Sequence, residues 1–206
     1  MSRPQARSHR NGSRVSAKVV VTGPYGAGKT TLIRAISEIT VLSTERSIAD
    51  RRPSGGGKSG GGKSETTVAM DFGRLTIDEG LALYLFGTPG QQRFDFMWEI
   101  LSEGMLGFVV LVDGDDDASL DDAAGILEFF KRSADVPYVV AVNKSNTAAA
   151  AAGDDVVERV RRLLRVPSHV RMVACDARER ESVKQVLLTL LNAALDEIDG
   201  RMPTPA

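Results

Sequence analysis

The chain has 206 residues, 42% of them hydrophobic and 26% charged, a balance that supports one globular domain with a well-filled core. Its 26 basic and 27 acidic residues leave a formal net charge of −1, which excludes a global field that would recruit nucleic acid or an acidic membrane surface. The single cysteine, Cys175, excludes an intrachain disulfide and fits a reducing compartment.

No apolar run approaches the about 18 residues of a membrane span. Neither end carries a signal-peptide core or a lipidation motif, so a cytoplasmic chain with no direct membrane anchor is expected. Residues 1–14 hold Arg3, Arg7, Arg10 and Arg14 and no acidic residue, the composition of a disordered basic tail.

The β-branched run Val19-Val20-Val21 reads as a buried strand. It leads into Gly23-Pro24-Tyr25-Gly26-Ala27-Gly28-Lys29-Thr30, which fits the phosphate-loop pattern G-x-x-x-x-G-K-[ST]. From Thr31 to Ile39, Leu32, Ile33, Ile36 and Ile39 recur at helical spacing. Strand, glycine loop and helix are the context the motif requires. The glycines let backbone N–H groups close around a phosphate, and the helix N-terminus adds its positive dipole. Lys29 reaches toward β- and γ-phosphates, and the Thr30 hydroxyl is a Mg²⁺ ligand candidate.

Residues 43–65 change character, with Gly55-Gly56-Gly57-Lys58-Ser59 repeated as Gly60-Gly61-Gly62-Lys63-Ser64. Such a repeat reads as flexible low-complexity chain. Gly57 to Ser64 also fits the phosphate-loop pattern, but no strand precedes it and no helix follows, so it is rejected as a site. Thr66–Ile77 and Leu81–Phe86, separated by Asp78-Glu79-Gly80, read as an antiparallel hairpin running into Gly87-Thr88-Pro89-Gly90-Gln91. A partly helical segment with Trp98 follows; Trp98 serves equally as core or as a binding surface.

Gly107–Asp113 is a buried strand by its continuous apolar run. Ser119-Leu120-Asp121-Asp122 resembles a capping box opening a helix. Tyr138–Val142 is the next strand, with Asn143-Lys144-Ser145-Asn146 at its carboxyl end. A helix over Asp154–Arg165, a strand over Arg171–Ala174, the turn Cys175-Asp176-Ala177-Arg178 and a helix over Glu179–Asp199 complete the chain. In that last helix Val183, Val186, Leu187, Leu190, Leu191, Ala194, Leu195 and Ile198 form one stripe, read as core packing. Cys175 reads as a packed small residue, with no histidine near it in sequence. The alternation predicts an α/β fold with a mainly parallel central sheet, one antiparallel edge strand and helices on both faces. Every motif loop then lies at the carboxyl ends of strands, where such sheets bind ligands.

Together GPYGAGKT, GTPGQ and NKSN, with CDAR as a weaker fourth, resemble in order and spacing a Ras-like small GTPase. The wording TTVAMDFGRLTID, LYLFGTPGQQRF, VNK and CDARERESVK is similar, more narrowly, to bacterial conservon-type GTPases, relatives of the MglA polarity GTPases. The resemblance covers about residues 15–198. It implies a P-loop GTPase domain over 15–199, with 43–65 as its switch loop and 200–206 as a tail. It implies a GTP-binding molecular switch in a bacterial signalling complex, with GTP/GDP and Mg²⁺ as ligands, slow hydrolysis and a roadblock-type regulator as partner. The alternative is a nucleotide-binding interaction module with little or no hydrolysis; a third reading, resting on the phosphate loop, is an ATP-driven enzyme.

The resemblance also distributes roles. Gly23, Tyr25, Gly26, Ala27, Gly28, Lys29, Thr30 and Thr31 would cradle the phosphates. Thr67, or its neighbour Thr66, would close over Mg²⁺ and the γ-phosphate. Gly90 would give its N–H to the γ-phosphate, and Gln91 would orient the attacking water. Asn143 would brace the phosphate loop, Lys144 would cover the base, and the Ala177 N–H would meet guanine O6. Arg51, Arg52 and Arg93 are arginine-finger candidates.

Two positions depart from the Ras-like pattern. Position 87, where a Mg²⁺-supporting aspartate is expected, is glycine, and Asp71 on the neighbouring strand is the candidate replacement. The base-reading aspartate is replaced by Asn146, whose amide sets a donor against one of guanine's two donors and so favours xanthine; Asp154 or Asp155 could substitute.

Overall fold

The central apolar strands divide their side chains between two cores. A computed structural model of the chain describes residues 15–43, 70–90, 95–144 and 155–201. Strand β1 (Val15–Thr22) sends Val19 and Val21 to one face and Val20 to the other, and β5 (Gly107–Asp113) splits Val109 and Leu111 from Phe108, Val110 and Val112 in the same way. Period-two alternation within a continuous apolar run is what a sheet covered on both faces requires.

The remaining strands are β2 (Leu42–Ser43), β3 (Asp71–Thr76), β4 (Leu81–Gly87), β6 (Tyr138–Asn143) and β7 (Met172–Cys175). Their order across the sheet is β2-β3-β4-β1-β5-β6-β7. Helices α1 (Lys29–Ile36) and α5 (Arg180–Arg201) cover one face through Leu32, Ile33, Val183 and Leu190. Helices α2 (Asp95–Ser102), α3 (Ala118–Ser133) and α4 (Val156–Leu163) cover the other through Trp98, Leu101, Phe130 and Val160. This is a mixed α/β architecture compatible with the P-loop nucleotide-binding fold.

Strand β3 runs antiparallel to both neighbours, while β1, β4, β5, β6 and β7 pair in parallel. The expected antiparallel strand is therefore present but is not the edge. The two residues of β2 pair with Phe72 and Asp71 and lie outside it. A strand of two residues is too short to leave a periodic signal.

Three expectations change, the first being that helix α1 ends at Ile36 with Ser37 as its C-cap, so Ile39 lies beyond it and is exposed. Helix α3 starts at Ala118 with Asp117 as its N-cap residue and no side-chain cap, so Ser119 is inside the helix. Asp116 does the work assigned to a capping box: its carboxylate accepts from the Ser119 N–H, and its carbonyl accepts from the Ser119 hydroxyl. In α5, Val183, Val186, Leu187, Leu190 and Ala194 are buried, but Leu195 and Ile198 are 56% and 51% exposed. A helix of 22 residues runs about 33 Å, well past the four residues of β7 that it packs beside. Among the described residues no helix is long and apolar enough to cross a membrane.

Candidate functional site

The turn after β1 requires glycine for two distinct reasons. Gly23 sits at φ 139, and a Cβ there would lie 2.0 Å from the Leu111 carbonyl oxygen of β5. Gly28 sits at φ 105, and a Cβ there would meet the Asn143 amide nitrogen at 2.6 Å. The loop is thus pressed onto the neighbouring strand ends, and helix α1 begins directly at Lys29.

Lys29 is buried and its Nζ donates to the Gly23 and Pro24 carbonyls at 2.8 and 2.7 Å. The Thr30 hydroxyl donates to Asp71 Oδ2 at 2.5 Å. Asp71 is only 7% exposed, and its second oxygen, Oδ1, is buried with no hydrogen-bond partner among the described residues. Such a carboxylate oxygen is costly unless a ligand satisfies it.

Glycine is required again on the far side of the cleft. A Cβ on Gly90 would come 2.4 Å from the Tyr25 nitrogen and 2.8 Å from Lys29 Nζ. The segment is anchored by the Thr88 N–H donating to the Val21 carbonyl and by Trp98 Nε1 donating to the Pro89 carbonyl. Trp98 is therefore a core residue tied to this loop, packed edge-on against Phe129 at 5.2 Å. The resulting cleft, about 280 Å³, is lined by Tyr25, Lys29, Thr30, Asp71 and Gly90 among others.

A second cleft of about 430 Å³ adjoins it and shares Gly26, Gly28 and Thr31 with it. Asn143, buried at the end of β6, uses both ends of its amide there. Its Nδ2 donates to the Ala27 carbonyl at 2.8 Å, and its Oδ1 accepts the Ala177 N–H at 3.0 Å. Asn143 thus ties the loop after β1 to the turn after β7. The Ala177 N–H, expected to meet guanine O6, is engaged by Asn143 instead. Lys144 is at φ 58 and its Nζ lies 2.5 Å from Asp113 Oδ2, with the Gly26 carbonyl at 3.4 Å.

Thus Tyr25, Gly26, Gly28, Lys29, Thr30, Thr31, Asp71 and Gly90 come together at the first cleft, and Asn143, Lys144 and Ala177 at the second. Gly23 and Ala27 shape the loop through their carbonyls. Thr66, Thr67, Gln91, Asn146 and Asp154, the arginines Arg51, Arg52 and Arg93, and all but the first residue of 43–65 lie outside the described residues. Asp155 is a helix cap: its carboxylate accepts from the Val157 and Glu158 N–H groups at the start of α4. Cys175 is buried, and burial pushes its thiol pKa up, as suits a packed residue.

Asp113, the partner of the cleft residue Lys144, and Asp176, which lines the second cleft, were not singled out from sequence. Asp113 is the polar end of an apolar strand, and its pairing with Lys144 depends on the β5–β6 register, which sets Asp113 opposite Asn143. Asp176 lines the same cleft beside Arg178.

The profile of a family described as "conserved hypothetical ATP binding protein" matches residues 54–197, a stretch that starts after the phosphate loop. An uncharacterized protein of Methanocaldococcus jannaschii is 30% identical over 129 residues, covering 63% of this chain and 70% of its own length.

Proposed function

The chain belongs to the family of conserved ATP-binding proteins, which is of the P-loop nucleotide-binding type, and on that premise we propose that it is a nucleoside-triphosphate switch that binds GTP with Mg²⁺ and hydrolyses it slowly. The observation that carries the reading is the convergence of Lys29, Thr30 and Asp71 on one cleft, with a buried Asp71 oxygen that has no hydrogen-bond partner among the described residues.

The donor set fits a magnesium ion. Mg²⁺ is held by one or two carboxylates together with substrate phosphates, and a hydroxyl beside a single carboxylate meets that need. Thr30 and Asp71 would hold it, with Thr67 completing the set from the switch loop. Bound there, Mg²⁺ would neutralise charge on the triphosphate. Lys29 adds a fixed positive charge in a water-poor site, the Gly90 N–H faces the γ-phosphate, and Gln91 orients the attacking water. Release of the γ-phosphate loosens the loop that Thr67 holds, which is how a switch reports its state. The bacterial signalling role and the roadblock-type partner rest on the sequence resemblance alone.

A second reading, ATP as the substrate, is favoured by the family description. The test is Mg²⁺-dependent binding of GTP, XTP and ATP to nucleotide-free protein, followed by single-turnover hydrolysis of the best ligand. Tight GTP binding with slow turnover that Gln91→Leu abolishes supports the switch. Preference for ATP favours the second reading. Binding with no turnover makes the chain an interaction module.

A further inference from the structure

We infer that Asp176, at the carboxyl end of β7, is the acceptor that reads the hydrogen-bonding edge of the bound purine and selects guanine over adenine. The inference rests on the proposal that a nucleoside triphosphate occupies the two adjoining clefts.

Among the described residues, the groups lining the second cleft differ in what already engages them. Because the clefts share Gly26, Gly28 and Thr31, a ligand with its phosphates in the first places its base in the second. Asn143 spends both ends of its amide on Ala27 and Ala177, and that bond also takes the Ala177 N–H. Lys144 is committed to Asp113 and the Gly26 carbonyl. Among the described residues two carboxylates are on the lining, Asp176, which is paired with Arg178, and the exposed Asp115.

Asp176 is the better placed of the two. Its own N–H donates to the Ser182 hydroxyl at 2.9 Å, which ties the turn after β7 to the first residues of α5. Its side chain is one-fifth exposed, whereas that of its partner Arg178 is 79% exposed. Arg178 donates to it from Nε at 2.9 Å, from Nη2 at 2.6 Å and from its backbone N–H at 3.0 Å. These bonds hold the carboxyl pKa down at about 2, so the group is purely an acceptor at neutral pH.

The chemistry then decides the base. Guanine presents N1–H and the N2 amino group side by side, and a carboxylate accepts from both. Adenine presents one amino donor beside a bare N1 lone pair, which a carboxylate repels. A carboxylate offers about four lone-pair directions, and Arg178 occupies three. Swinging the exposed Arg178 side chain aside frees the two its fork holds, and a solvent-exposed ion pair is cheap to exchange.

The test is competition binding of GTP, ITP, XTP and ATP, with Mg²⁺, to the full-length wild type and to Asp176→Asn, Asp115→Asn and Lys29→Ala. In the wild type the expected order is GTP, then ITP, which lacks the N2 amino group, with XTP and ATP weakest. Asp176→Asn lowers GTP affinity tenfold or more and raises XTP affinity, because an amide donor suits the xanthine C2 carbonyl. A gain in XTP binding also shows that the variant is folded. Asp115→Asn leaves the order unchanged. If all four triphosphates bind and Lys29→Ala abolishes binding, but Asp176→Asn leaves the GTP-to-XTP ratio as it was, the inference is overturned while the nucleotide site stands. A shift produced by Asp115→Asn instead overturns it equally. No binding of any triphosphate to the wild type overturns the proposed function and this inference with it.

Discussion

Asp71 and Gly87 face each other across the β3–β4 ladder, and the side chain of the first fills the space that a side chain on the second would need. A Cβ on Gly87 would lie 3.0 Å from Asp71 Cβ, 3.2 Å from Asp71 Oδ2 and 2.9 Å from Ile33 Cδ1. One buried carboxylate can occupy this place, supplied from either strand but not from both. Gly87→Asp should therefore be destabilised by about 3 kcal/mol or more, since it overpacks the site and sets two carboxylates together out of water. The transposed pair Asp71→Gly with Gly87→Asp should recover much of that stability and retain Mg²⁺-dependent nucleotide binding. Urea denaturation of the three proteins, with nucleotide affinity in Mg²⁺ and in EDTA, checks both halves. A transposed pair no more stable than Gly87→Asp alone would show that the two positions do not share one site.

The Asn143 side chain joins the phosphate loop to the turn after β7. Asn143→Ala leaves the Ala27 carbonyl and the Ala177 N–H without that partner in a buried place. The expected loss is about 2–4 kcal/mol of stability. Affinity for every nucleotide should fall together, because loop geometry rather than base choice is lost. A change in base preference with unchanged stability would contradict the bracing role.

Trp98 is the only tryptophan in the chain, and its Nε1–H donates to the carbonyl next to Gly90. Movement of the Gly90 segment onto a γ-phosphate must alter that hydrogen bond. Intrinsic fluorescence should thus differ between GTP-loaded and GDP-loaded protein, and the difference should decay at the single-turnover hydrolysis rate. Identical spectra in the two states would place Trp98 outside any nucleotide-driven change.

The ion pair of Asp176 and Arg178 has a pH signature. The folded carboxyl pKa is about 2, below its ordinary 3.8. A depressed folded pKa stabilises the fold above the ordinary value, and that contribution fades as pH falls toward 2. Between pH 5 and 8 the pair should contribute no pH dependence to folding or to base preference. An NMR titration of the Asp176 carboxyl carbon should follow the low pKa in the wild type and move toward 3.8 in Arg178→Ala.

The phosphate loop, the strand before it and the order of the motif loops were legible because each is local. A glycine loop between an apolar strand and an amphipathic helix carries its own context, and continuous apolar runs mark strands buried on both faces. Asp71 was reachable as well, since the gap at position 87 pointed to a carboxylate from elsewhere. What remained hidden depends on register and on contacts between distant segments. The pairing of Lys144 with Asp113, the use of Ala177 by Asn143 and the arrival of Asp176 at the second cleft arise only when β5, β6 and β7 align their ends. The exposure of Leu195 and Ile198 is likewise set by where the sheet stops and not by the helix's own periodicity. Local chain chemistry thus specified most of the elements and the motif loops, while packing across the sheet decided which polar groups are spent on bracing one another and which face the clefts.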